Sequence, residues 1–127
     1  MVEAPTAQAL AKAKTVVVEA IKKKKMEPVI SIVKHGYPIN DPIMYGGVNL
    51  FMHISGTCSA IELNQILPLG PDLSSRDNLG RTALHFACRS GNVETFKVLA
   101  ELEDTEVDAV TNAGVTPLMM AIESGDI

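Results

Sequence analysis

Two groupings of side chains in this 127-residue chain have the elements of a metal site: His53 with Cys58, and His85 with Cys88. Structural zinc is held by nitrogen and sulfur ligands delivered in short pairs such as C-x-x-C or H-x-x-x-H. Neither grouping contains such a pair, so no metal is expected. Catalytic arrangements are equally sparse. The sequence has no G-x-S-x-G nucleophile elbow, no phosphate loop and no dinucleotide fingerprint. Tyr45-Gly46-Gly47 is glycine-rich, but without a following lysine it reads as a turn. Asp77, Asp104, Glu106 and Asp108 fall near loops, where carboxylates ordinarily accept local backbone hydrogen bonds. We expect a non-catalytic protein with no cofactor.

The concentrated charge is Lys22-Lys23-Lys24-Lys25. Helical periodicity over Thr6 to Lys25 predicts one long helix that these lysines close, at the end where the helix dipole favours cations. A solvated helix end, a nuclear-import patch, a contact for an acidic partner and a contact for an anionic surface all fit four lysines. The net charge of −4 argues against a nucleic-acid partner, which calls for a basic footprint. The N-terminus lacks the basic start and apolar run of a signal peptide, and no apolar stretch is long enough to span a bilayer. Two cysteines do not make a disulfide framework and suit a reducing compartment. Cytosolic placement is expected, with the nucleus as the other candidate.

What positions these side chains is a repeat. Gly80-Arg81-Thr82-Ala83-Leu84-His85-Phe86-Ala87 aligns with Gly114-Val115-Thr116-Pro117-Leu118-Met119-Met120-Ala121 at a displacement of 34. Ser90-Gly91-Asn92-Val93 then aligns with Ser124-Gly125-Asp126-Ile127. Gly80 and Gly114 follow polar turn residues and predict positive φ. Thr82 and Thr116 are placed to cap a helix, and Pro117 suits the first helical position. Leu84, Ala87 and Cys88 recur at helical spacing, as do Leu118, Ala121 and Ile122. Gly91 ends this first helix. Val93, Phe96, Val98, Leu99 and Leu102 form the apolar side of a second. At 46% hydrophobic but 4% aromatic, the chain has a core of small aliphatic side chains that suits closely packed helices.

The stretch Asp77-x-x-Gly80-x-Thr82-Ala83-Leu84-His85-x-Ala87 resembles the ankyrin repeat, whose signature contains T-P-L-H-x-A at a period of about 33 residues. The second copy keeps Gly114, Thr116, Pro117, Leu118 and Ala121 but has Met119 for the histidine. The resemblance is specific over residues 77–127 and implies an all-α solenoid of stacked helix pairs with projecting loops. It also implies that His85 ties neighbouring loops together and that Cys88 fills a small buried position.

The first half keeps the same register more faintly. Gly36 and Gly70 lie 34 apart, as do Ile39, Leu73 and Val107 in succession, and Asn40, Ser74 and Asp108. Residues 27–40 read as a second helix and its loop, and Leu63, Ile66 and Leu67 take the places of Phe96, Leu99 and Ala100. Gly47 to Ile54 is a degenerate copy of the Gly80 motif with Asn49 as the cap. We read one domain with repeats at about 7–40, 41–76, 77–110 and 111–127. The last lacks its second helix, leaving Met119, Met120 and Ile122 partly bare. A terminal repeat needs a polar outer face, so the natural chain is expected to continue past Ile127, or residues 1–127 to be part of it.

The resemblance implies that such a domain binds a protein through loop tips and the concave face of its first helices. The candidate partner-binding residues are then Asn78, Leu79, Arg81, Arg89 and Ser90 in the clear repeat. The next repeat adds Asn112, Ala113, Val115, Glu123 and Ser124, and the degenerate one Tyr45, Val48 and Thr57. Leu79, Val115 and Tyr45 would be the apolar anchors. Two other readings stand beside this one: a regulatory or targeting segment of a larger, even enzymatic, protein, and a structural subunit of a large complex.

Overall fold

The computed structural model describes residues 7–43, 45–103 and 105–124. It is an all-α solenoid. Among the described residues the helices are α1 (Ala7–Lys22), α2 (Met26–Lys34), α3 (Leu50–Thr57), α4 (Ala60–Ile66), α5 (Ala83–Arg89), α6 (Val93–Ala100) and α7 (Pro117–Ser124). The extended pairing among them is a single antiparallel bridge between Pro42 and Asn49. Among the described residues no helix is long and apolar enough to cross a membrane.

The helices α3, α4, α6 and α7 begin where a side chain accepts from a free N–H group. Asn49 accepts from the Met52 N–H at 2.9 Å, and Thr116 from the Met119 N–H at 3.2 Å. Ser59 and Glu62 form a reciprocal capping box at the start of α4. The helices α2, α4 and α6 bury one side against their neighbours, while α3 and α5 are buried nearly all round, with Thr57 and Arg89 as their exposed residues. First helices stack on first helices, α3 on α5 and α5 on α7, while α2 packs on α4 and α4 on α6. One continuous core results, centred on Phe51, Leu50, Met52, Ile54, Leu63, Ile66 and Leu99. Helix pairs this short are stable through such stacking rather than through their own propensity.

Two sequence expectations are corrected. Thr6 lies outside the described residues, and α1 ends at Lys22 rather than Lys25. The Lys24 N–H bonds to the Ile21 carbonyl at 3.0 Å and the Lys25 N–H to that of Ala20 at 2.8 Å. This closes the helix with Lys24 at φ 56, the left-handed position that glycine usually fills. The lysine run is therefore a helix end, a turn and the cap of α2, not a continuous helical stripe. Lys24→Gly is expected to raise stability by about 1 kcal/mol, read from urea unfolding. An unchanged or lowered midpoint would show that the left-handed lysine carries no strain.

The second correction concerns α6. Val93 is 53% exposed, and Thr95, two residues on and so on the opposite side of the helix, is buried in its stead. The reason is the junction with the preceding pair. Thr95 Oγ1 lies 3.4 Å from Cys58 Sγ, and Asn92 Nδ2 donates to the carbonyls of Ser55 at 3.0 Å and Cys58 at 2.7 Å. A hydroxyl and an amide at this junction satisfy the carbonyls that end α3, which valine would leave bare.

Candidate functional site

The loops preceding α5 and α7 are two fingers built on one plan with different chemistry. Asp77, buried beneath the first, accepts from the Leu79 and Arg81 N–H groups through Oδ1 at 3.0 and 2.8 Å. Its other oxygen holds Arg81 Nε at 2.6 Å. Thr111 does the same work in the second finger without charge, its hydroxyl accepting from the Ala113 and Val115 N–H groups at 3.2 Å each. The turns close through Gly80 at φ 80 and Gly114 at φ 79.

Each finger is stitched through asparagine to the loop before it. The Asn78 N–H donates to the Gly46 carbonyl at 2.7 Å, and the Asn112 N–H to the Leu79 carbonyl at 2.9 Å. Asn112 Nδ2 also donates to the Asn78 carbonyl at 3.1 Å. Gly80 sits directly under Asn112: a Cβ on it would lie 2.6 Å from Asn112 Oδ1 and 2.9 Å from its backbone nitrogen. Arg76, which the sequence reading did not single out, adds a rivet. Its Nη1 donates to the carbonyls of Gly80 at 3.0 Å and Val110 at 2.6 Å, and its Nη2 pairs with Glu106 at 3.5 Å. The only sequence signal for this was the repeat period itself, since Val110 is 34 residues from Arg76.

His85 joins the two repeats from within, as the resemblance implied. Its Nδ1 accepts from the Thr82 N–H at 3.1 Å and its Nε2 lies 2.8 Å from the Val115 carbonyl. Nδ1 must accept, so the proton sits on Nε2 and donates to Val115. Burial lowers the pKa of the ring from its ordinary value. Cys88 is buried on the same helix, α5, three residues after His85, and burial pushes its thiol up to about 11, far from a reactive thiolate. Burial also holds His53 below the ordinary histidine range. No group of three or more His, Cys, Asp or Glu among the described residues is placed to hold a metal ion.

The candidate partner-binding residues fall into distinct places. Asn78, Leu79, Asn112 and Ala113 are exposed along the finger tips, with Leu79 58% open to solvent. Arg89 and Ser90 are exposed at the end of α5, Thr57 at the end of α3, and Glu123 on α7, while Val115 is half-buried. Two assignments are corrected. Val48 is buried in the core, because the turn at 42–49 folds back on itself and the Ile43 N–H donates to its carbonyl at 3.0 Å. Arg81 is tied down, its side chain 18% exposed in the pair with Asp77 and its guanidinium 4.7 Å above the Phe86 ring. Tyr45 opens a 3-10 turn and Ser124 ends α7. The side chains of those two lie outside the described residues.

A sequence profile described as ankyrin repeats (3 copies) matches residues 6–127. The chain is also similar to neurogenic locus notch homolog protein 2 of Homo sapiens, 32% identical over 71 residues. Neurogenic locus notch homolog protein 1 of Mus musculus is 31% identical over 71 residues. Each match covers 55% of this chain and 3% of the relative.

Proposed function

The chain belongs to the ankyrin-repeat family, and we propose that it acts as a non-catalytic adaptor gripping a protein partner with its finger tips and the exposed ends of its first helices. Domains of this family are generally protein–protein interaction modules and typically non-catalytic. The observation that carries the finer reading is the division of labour within each finger. Asp77, Thr111, Arg81, Arg76 and His85 are spent on holding the loops rigid. Leu79 and Ala113 are left exposed on that frame, flanked by the amides of Asn78 and Asn112. A rigid tip carrying an apolar side chain among amides loses little conformational entropy when a partner covers it. Arg89 and Glu123 add opposite charges that set orientation more than affinity. A reducing compartment, the cytosol or nucleus, belongs to the same reading and is supported by the two unpaired thiols, Cys58 and Cys88.

The test is affinity capture from the native source with the wild-type chain and with Leu79→Asp/Arg89→Glu. Both positions are exposed, so the variant is expected to melt within a degree or two of wild type. Specific partners are expected to fall at least about tenfold in recovery, as for loss of a buried apolar anchor. Equal recovery of the same proteins by both would remove the finger tips from the interface.

A further inference from the structure

We propose that one ordered water molecule, bound by Thr105, joins the loop after α6 to the loop after α4, doing there what an asparagine side chain does one repeat earlier. The loops that follow the second helices lie side by side, and the first two are joined directly. Asn40 Nδ2 donates to the Gly70 carbonyl at 3.2 Å, and Asn40 Oδ1 accepts from the Asp72 N–H at 2.7 Å. A single carboxamide thus spans from the loop after α2 to the loop after α4.

At the next junction the 34-residue register puts Ser74 in the place of Asn40 and Glu106 in the place of Asp72. Serine is too short to make the same reach. Its hydroxyl turns instead to Asp72 Oδ1, at 2.7 Å within its own loop. A cavity of about 10 Å³ lies at this junction, with Ser74, Arg76, Thr105 and Glu106 on its polar side and Leu84 and Leu99 on its apolar side. Thr105 Oγ1 is buried, and no group among the described residues hydrogen-bonds to it. One period earlier its place is held by Pro71, which has no hydroxyl to satisfy. Where the bridging asparagine is lost, a buried hydroxyl takes its side of the junction.

A buried hydroxyl without a partner is destabilising. A water molecule needs roughly 10–15 Å³ of such space and about two to four polar partners. The cavity gives that room to one water and to nothing larger. The hydroxyls of Thr105 and Ser74 and the carboxylate of Glu106 are the partners that line it. Arg76 is already engaged, with the carbonyls of Gly80 and Val110 and with Glu106. The water is then a second link across the junction that Arg76 rivets. None of its partners belongs to the surface proposed to grip a protein, so the two readings stand or fall separately.

Two measurements on the full chain test this. The first is a crystal structure fine enough to place solvent, of wild type and of Ser74→Asn. Wild type is expected to show a water within about 3.2 Å of Thr105 Oγ1 that also reaches the loop after α4. In Ser74→Asn the carboxamide is expected to take its place. No such water, or an amide that turns to solvent while the water stays, would overturn the proposal. The second is urea unfolding of Thr105→Val, whose sign separates a hydrated hydroxyl from an unpaired one. Losing a water-bonded hydroxyl is expected to raise the unfolding constant roughly fivefold, the worth of one hydrogen bond. Losing an unpaired one would lower it, so a constant that falls or stays the same would also overturn the proposal.

Discussion

Gly80→Ala is expected to destabilise the chain by about 3 kcal/mol, against about 1 kcal/mol for Gly114→Ala. The two glycines share a backbone conformation, at φ 80 and φ 79. Each substitution therefore incurs the same left-handed penalty of about 1–2 kcal/mol. They differ in what lies above them. A Cβ at Gly80 meets Asn112 Oδ1 at 2.6 Å and the Asn112 nitrogen at 2.9 Å, whereas among the described residues nothing lies within 4 Å of one at Gly114. The side-chain oxygen can swing away, but the nitrogen is backbone and is held by its bond to the Leu79 carbonyl. Accommodating the methyl group means prising the second finger off the first, an overpacking cost of about 1–3 kcal/mol. Because repeat stability is a sum of units and their junctions, the loss should appear as uncoupling of α7 from α5. Urea unfolding with unchanged slope measures the totals. Equal losses at the two positions would mean that the Asn112 stitch contributes nothing.

Much of this frame was legible in the sequence, because repetition exposes what composition hides. Gly80, Thr82, Leu84 and Ala87 recur in type at a fixed displacement, which placed the helix starts and the turns, whereas the role of His85 came from the resemblance to the ankyrin repeat alone, since Met119 stands in its place in the next copy. The N-cap at Asn49 was readable for the same reason: an oxygen-bearing side chain stood where threonine stood elsewhere. What could not be read was which side of each element faced its neighbour. Val48 and Leu79 are both aliphatic residues beside a turn glycine. One is buried and the other exposed because the loop at 42–49 folds back on itself, while the tip at 78–80 projects. Arg81 was placed among the partner-binding candidates because the sequence shows its position in the loop but not the carboxylate of Asp77 that holds it. Arg76 was invisible for a related reason: an arginine donating to main-chain carbonyls leaves no pattern in residue type. The candidate surface was therefore legible as a set of loops, and only the structure separates the residues that build the tips from those the tips present.

His85→Ala is expected to cost about 3 kcal/mol and to change how stability depends on pH. The ring is wholly buried, at 0% exposure, so its loss leaves a cavity. It also strands the Thr82 N–H and the Val115 carbonyl that the two ring nitrogens satisfy. A buried unpaired group costs about 1–3 kcal/mol on its own. The pH effect follows from the same two bonds. Nδ1 accepts from a backbone N–H, so protonating it sets two hydrogens against each other, and burial opposes the charge as well. The folded pKa thus lies below the unfolded value of about 6.5. Between those two values the unfolded chain binds more protons, so stability rises with pH through that window. The contribution of His85 is complete above about pH 6.5 and is lost as pH falls towards the folded pKa. His53 shifts in the same direction, again through burial, and Asp72, lowered by its hydrogen bonds from Ser74, adds an acid limb at lower pH. The measurement is therefore the difference in unfolding free energy between wild type and His85→Gln, taken in steps from pH 7.5 to about pH 5. The other titrations are common to both proteins and cancel. Glutamine keeps a neutral donor and acceptor but cannot titrate, so the gap should narrow as the solution is acidified. A gap that stays constant would mean that His85 is not held neutral by its two backbone partners, and the tautomer assigned from their geometry would be wrong.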